Sequence, residues 1–281
     1  MPGENQDMNT YTPNLIICSG FGSETSSFKD VLESHPEINF IADDDINTVK
    51  IDDTPFPPLN FDPLFTNDID SGNVLETIAR KYAGKSRYIG WQPQFAIEFP
   101  HVLWTTIETL PDAKFIFCLR NPYHAAYIRY LSIKENQPST FEEAIELCEK
   151  EMVRISQFKN RNKWSSYINN PSILSLLIQS SVYYPSVNRT MKFIPKENIH
   201  IVIYENYIED STTTLNNIQD FLKLQNKFDV STYNAEIKQV HLEYKISRDA
   251  IYLLDKYIKE FNSKLEKLLN INIHIWDMNS G

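Results

Sequence analysis

The feature that most constrains this chain is a short apolar run, Asn14-Leu-Ile-Ile-Cys18, followed at once by Ser19-Gly-Phe-Gly-Ser-Glu-Thr-Ser-Ser27. From Thr25 to Ser34 the apolar residues Phe28, Val31 and Leu32 recur at helical spacing. A continuous apolar run bounded by a glycine turn reads as a parallel strand buried on both faces, so residues 14–34 form a strand, a loop and a helix. The chain holds only seven glycines, and two of them, Gly20 and Gly22, stand in this loop. Glycine lets backbone turn sharply and approach a ligand, while the N–H groups that open the next helix attract anions with the help of the helix dipole. Gly22, Ser23, Thr25, Ser26 and Ser27 are therefore candidate phosphate-binding residues. The same stretch also reads, with about equal weight, as a plain helix N-cap.

Two common nucleotide signatures are excluded. The loop lacks the Gly-Lys-Ser/Thr ending of a Walker A motif, and Thr25 stands where Gly-x-Gly-x-x-Gly would need its third glycine. The missing lysine also argues against a P-loop kinase.

Beyond the loop the pattern alternates. A helix is expected near 73–83, a strand near 87–91, a helix near 95–110 and an apolar strand over Lys114-Phe-Ile-Phe-Cys-Leu119. Thr140-Phe-Glu-Glu143 has capping-box spacing ahead of a helix to about 158. The helical pattern of 171–194 contains Pro185, which should break or kink it. A strand at His200–Ile203 and a helix over 207–222 come next, and the amphipathic pattern of 247–269 closes the chain. Strands alternating with helices give right-handed βαβ units, hence an α/β fold with a parallel sheet. With 281 residues, one domain over 13–281 after a loose leader at 1–12 is the natural reading.

Residues 43–71, with five aspartates between 43 and 53 and four prolines between 55 and 63, read as a loop insertion. An active-site lid and a solvated insertion are both compatible with that composition. The run Asp43-Asp44-Asp45 lacks the glycine and distal glutamate of a calcium loop, so no metal is expected.

The formal charge of −10 repels phosphate backbones, which excludes nucleic acid as a partner without a local basic patch, and disfavours polyanionic polysaccharide acceptors. It leaves open a small nucleotide in a neutralised pocket. Cys18, Cys118 and Cys148 have no metal-ligand spacing and read as reduced structural thiols. No apolar run is long enough to span a bilayer, and Glu4 and Asp7 are unlike a signal peptide, so a cytoplasmic protein is expected.

Several segments together resemble the sulfotransferase family that uses 3′-phosphoadenosine 5′-phosphosulfate (PAPS). The first helix ends in Leu32-Glu-Ser-His35-Pro36, like the family's Leu-x-x-His-Pro. Leu110-Pro-Asp-Ala-Lys-Phe-Ile-Phe-Cys-Leu-Arg-Asn-Pro122 looks like its "PDAK…LR(D/N)P" strand. Phe193-Ile-Pro to Tyr204-Glu205 is similar to its "FP…I…YE" strand, Thr214 to Leu222 to the helix after it, and Lys245-Ile-Ser-Arg to Trp276 to its closing helix and terminal aromatic. The resemblance implies a three-layer P-loop-like sulfotransferase fold, a central parallel sheet flanked by helices, that binds PAPS at the strand ends. The implied reaction moves sulfuryl to a hydroxyl or amine of a small-molecule or carbohydrate acceptor.

The resemblance also assigns roles. Arg120 takes the position of the arginine that binds the nucleotide 3′-phosphate, although it also reads as a structural arginine paired with an acid. Lys238 lies where the family often places a basic residue near the nucleotide. Gln92, in Gly90-Trp-Gln-Pro-Gln94, can hydrogen-bond a ligand but cannot deprotonate an acceptor, and the adjacent Trp91 reads as core. His241 is the candidate base by chemistry. The sequence departs from the family at Gly22, where a lysine or arginine is usual, at Glu24, where glycine is usual, and at Ile128, where serine is usual. A second reading follows, in which the chain keeps the fold but binds a nucleotide, another anion or a protein partner without catalysis.

Overall fold

A computed structural model of the chain describes residues 12–20, 25–42, 50–51, 54–55, 75–77, 79–82, 84–93, 96–97, 100–132, 138–156, 176–229 and 246–278. A five-stranded sheet is built from β1 (Leu15–Ser19), β2 (Ile38–Phe40), β5 (Tyr88–Trp91), β6 (Lys114–Leu119) and β7 (Ile199–Ile203). Its order is β2-β5-β1-β6-β7, and every pairing is parallel. The short β3 (Lys50–Ile51) and β4 (Thr54–Pro55) form a separate antiparallel pair.

The apolar runs become strands because both faces are covered. Ile16 and Cys18 of β1 join Phe115 and Phe117 of β6 in one core layer, whereas Leu15 and Ile17 join Ile116 in the other. Helix α1 (Thr25–Glu33) packs Phe28, Val31 and Leu32 on the second face. The first face is covered by α2 (Pro100–Thr109) with Val102 and Leu103, and by Leu265 of a helix near the end of the chain. These are the three layers expected.

A third apolar cluster is helical. Tyr123 and Ala126 of α3 (Pro122–Ser132), Phe141 and Ile145 of α4 (Phe141–Ser156), Leu177 of α5 (Leu176–Gln179) and Leu254 of the closing helix meet there. The amide of Glu143 donates to Thr140 Oγ1 at 3.2 Å, as the capping spacing predicts. Glu143 reaches back one residue further than the box requires, and its carboxylate accepts from the amide and the hydroxyl of Ser139.

One helical expectation is met and one is corrected. The 171–194 pattern is broken at 180–183, just ahead of Pro185, which sits in the first turn of α6 (Tyr184–Phe193), where its missing N–H is not needed. The single helix expected over 207–222 is two, α7 (Tyr204–Glu209) and α8 (Ser211–Leu222). Asp210 divides them because its carboxylate accepts from the amide of Thr213 at 3.0 Å and caps α8. The closing helix is α9 (Arg248–Leu269), with Ile251, Leu254, Ile258 and Leu265 buried, as its spacing predicts. Trp91 is buried core. All three cysteines are buried free thiols, and burial pushes Cys148 up to about 12, where it is unreactive.

The His-Pro ending of α1 serves the fold. The buried His35 lies with Nε2 2.9 Å from the carbonyl oxygen of Asn226, while its Nδ1 accepts from the amide of Glu37. Glu37 in turn accepts from the amides of Gln225 and Asn226, which ties the end of α1 to the turn after α8. Desolvation opposes ionisation of Glu37, but those amides together with His35 and Arg87 outweigh it and hold the carboxyl below its usual range. Its stabilisation is therefore complete above the ordinary glutamate pKa and is lost as pH falls through the lower, folded value. Glu37→Gln is expected to flatten the acid limb of a urea-unfolding profile below about pH 4.3. An acid limb identical to that of the wild type would show that the clamp carries no linked proton.

Candidate functional site

In an open parallel sheet, ligands bind beyond the carboxyl ends of the strands where the chain order reverses. Here β1 is central, with β5 and β2 on one side and β6 and β7 on the other, so the crevice lies between the ends of β1 and β6. Ser19 of β1 is aligned with Cys118 of β6, which brings Gly20 and Arg120 to the same rim.

Arg120 is 1% exposed, directly after β6. Asn121 and Pro122 turn the chain out of the sheet. Asn121 Oδ1 accepts from the amide of Tyr123 at 3.0 Å, and its carbonyl accepts from the amide of Ala125, so Asn121 caps α3 and Pro122 takes the first helical position. The guanidinium of Arg120 stacks on Tyr204, 4.9 Å from the ring centroid. The next residue, Glu205, accepts from the amide of Asn121 at 2.8 Å and from Nε1 of Trp276 at 2.9 Å. The Tyr-Glu pair after β7 thus supplies a ring for the arginine and a carboxylate that joins the ends of β6, β7 and the chain terminus. Burial pushes the Cys118 thiol well up, with Glu205 adding to that rise and Arg120 opposing it, so both charges act at this strand end.

On the other side of β1, Gln92 leaves β5 and its side-chain amide donates to Ser19 Oγ at 2.9 Å. Gln92 and Ser19 therefore face the same end of β1. A methyl group at Gly20 would lie 2.6 Å from the carbonyl oxygen of Ser180. The glycine thus serves the close packing of the 180–183 turn, a role that its place in the loop did not reveal. Thr25, Ser26 and Ser27 form the first turn of α1, with Ser27 half-buried. Gly22, Ser23, Lys238 and His241 lie outside the described residues. Lys29 is turned aside, its ammonium 5.6 Å from the centroid of the Phe40 ring. Among the described residues, then, Arg120, Gln92, Ser27 and the backbone start of α1 belong to the elements that meet at the crevice.

A cavity of about 460 Å³ with a mixed polar and apolar lining adjoins this cluster, bordered by Tyr123, Asp255, Lys259, His274 and Trp276 among others. Tyr123 donates a short hydrogen bond to Asp255, and desolvation followed by that bond pushes the phenol well above its usual range. Trp276 borders both the cavity and Glu205, so one indole links this wall to the arginine side of the crevice. Ser19, Glu205 and Trp276 escaped notice as site residues because their partners are remote in sequence.

The family model described as Sulfotransferase family matches residues 63–229, more than half of the chain. Among solved structures, a sulfotransferase from Alicyclobacillus acidocaldarius superposes with a TM-score of 0.68 at 20% identity, covering 94% of this chain and 98% of that one. It shows the shared fold. The sulfotransferase domain from the curacin biosynthetic pathway gives a TM-score of 0.48 at 12% identity, covering 87% and 97%. Mouse sulfotransferase SULT7A1 complexed with PAP gives 0.43 at 14% identity, covering 95% and 85%. No curated protein matches the chain in sequence. Among the described residues, no helix is long and apolar enough to cross a membrane.

Proposed function

The chain belongs to the sulfotransferase family, and from that premise we propose that it transfers the sulfuryl group of PAPS to a hydroxyl or amine of a small-molecule or carbohydrate acceptor. The observation that carries this reading is the buried Arg120 at the sheet's switch point, opposite the end of β1. A buried guanidinium fits a dianionic 3′-phosphate, because its planar donors meet phosphate oxygens in pairs. The start of α1, where Thr25, Ser26 and Ser27 form the first turn, offers backbone donors to a second anionic group.

PAPS would supply the sulfuryl group and leave as adenosine 3′,5′-bisphosphate. In this reading Gly22 and Ser23 complete the anion loop, Lys238 adds positive charge near the nucleotide, Gln92 orients the acceptor by hydrogen bonding, and His241 takes the acceptor proton. The second reading, a family member that binds a nucleotide, another anion or a protein partner without catalysis, draws support from the side chains of the loop. Gly22 stands where the family uses a cation, and Glu24, an acidic residue, stands where the family uses glycine; a carboxylate close to an anion is unfavourable.

Calorimetry with adenosine 3′,5′-bisphosphate separates these readings. Saturable binding by the wild type, together with transfer of labelled sulfuryl to one member of a broad hydroxyl and amine panel, is the expected result. No saturable binding removes the sulfotransferase activity. Binding with no transfer to any acceptor favours the second reading.

A further inference from the structure

A second recess lies on the outer helices and shares no lining residue with the crevice. It is a groove of about 960 Å³ lined by Trp104 of α2, Phe261 of α9 and six residues of α6: Tyr184, Pro185, Asn188, Arg189, Lys192 and Phe193. Those six positions form one continuous stripe, since residues four apart stack on the same helix face, and ten residues at 1.5 Å rise extend about 15 Å. The groove therefore runs the length of a helix.

Its chemistry is aromatic and cationic. Phe193 is 54% exposed and meets Trp104 edge to face at 4.6 Å, while Tyr184 lies against Phe261. An exposed ring beside half-buried ones is the kind of apolar surface that marks an interaction site. Arg189 and Lys192 are exposed on the same stripe, and among the described residues neither has an ion-pair or hydrogen-bond partner. The nearby Lys264 is paired with Glu260, so that pair adds little net charge. Two uncompensated cations beside one exposed and three half-buried rings stand out on a chain whose formal net charge is −10.

We propose that this groove docks an acidic polypeptide segment of a partner protein carrying aromatic or aliphatic anchors. Charge complementarity selects the sign of the occupant. A second copy is disfavoured, because a two-fold contact would set Arg189 and Lys192 against their own equivalents between two strongly acidic molecules. A compact small molecule is disfavoured by shape: the channel is elongated, with the two cations within one turn of each other and rings on either side, so an extended chain or a helix can present acids and apolar anchors in succession. Trp104 and Phe193 would hold the apolar anchors, and Arg189 and Lys192 the carboxylates.

The test uses the full chain and a short fluorescent peptide of alternating glutamate and phenylalanine, read by anisotropy at low salt. Saturable binding is expected, weakened about tenfold or more by Arg189→Glu with Lys192→Glu, the equivalent of losing at least one good contact. Phe193→Ser should weaken it as well, and all variants should keep the wild-type far-UV spectrum and melting point. Because these side chains are exposed, folding is not at stake. The proposal is overturned if the wild type shows no saturable binding, if the charge-reversal variant binds equally well, or if a lysine-phenylalanine peptide competes as strongly. It is also overturned if the wild type self-associates through this face and Arg189→Glu dissolves the oligomer.

Discussion

Replacing Trp276 by alanine is expected to cost about 3–5 kcal/mol of folding stability, the range for deleting a buried tryptophan. The indole is 2% exposed, packs against Tyr183 at 6.0 Å between ring centroids, and donates to Glu205. Two losses combine: a cavity opens in the layer that contains Tyr183 and Ile273, and Glu205 loses one of its two fixed donors. Trp276→Phe separates them, because it keeps most of the volume and removes only the donor; about 1 kcal/mol is expected. Urea unfolding at neutral pH measures both, as a shift of midpoint at unchanged slope. A Trp276→Ala loss below about 1 kcal/mol would mean that the terminal turn is not part of the cooperative core.

The contrast between β6 and the terminal turn shows what a sequence makes legible. Lys114-Phe-Ile-Phe-Cys-Leu119 announces a strand because every residue from Phe115 to Leu119 is buried, and burial on both faces requires an unbroken apolar run. Asn121-Pro122 is an equally local signal, since a cap and a first-turn proline act on their own neighbours, although the expected elements include no helix over Pro122–Ser132. Trp276 and Glu205 are 71 residues apart, and nothing local in either segment names the other. Gln92 and Ser19 are separated by 73 residues, and Gly20 meets Ser180 from another part of the chain.

The error at Asp210 has a different origin. Ser211-Thr-Thr-Thr214 and the residues before it sustain a helical pattern, but an aspartate can either continue a helix or cap a new one. Only the bond to the Thr213 amide decides between them. At the candidate site, residue types such as arginine and glutamine were legible, whereas the stacking of Arg120 on Tyr204 and the pairing of Gln92 with Ser19 depend on how the strands align.

Substituting Arg120 is expected to have the largest effect on ligand binding. If its guanidinium holds a 3′-phosphate, Arg120→Lys should lower affinity for adenosine 3′,5′-bisphosphate about 100-fold, because a point charge replaces a planar pair of donors in a desolvated site. Arg120→Ala should abolish measurable binding, but it also removes the stack on Tyr204 and endangers the fold. The lysine variant is therefore the informative one, once its melting point is shown to be near that of the wild type. The decisive quantity is a ratio. An arginine that reads the 3′-phosphate weakens the bisphosphate far more than adenosine 5′-monophosphate, so the preference for the bisphosphate should collapse. An arginine that merely braces Tyr204 beside the Glu205 junction would shift both nucleotides alike and leave the ratio intact. Equal loss for both ligands in a folded Arg120→Lys protein would return this residue to the architecture of the sheet and move the anion site to the loop at the end of β1.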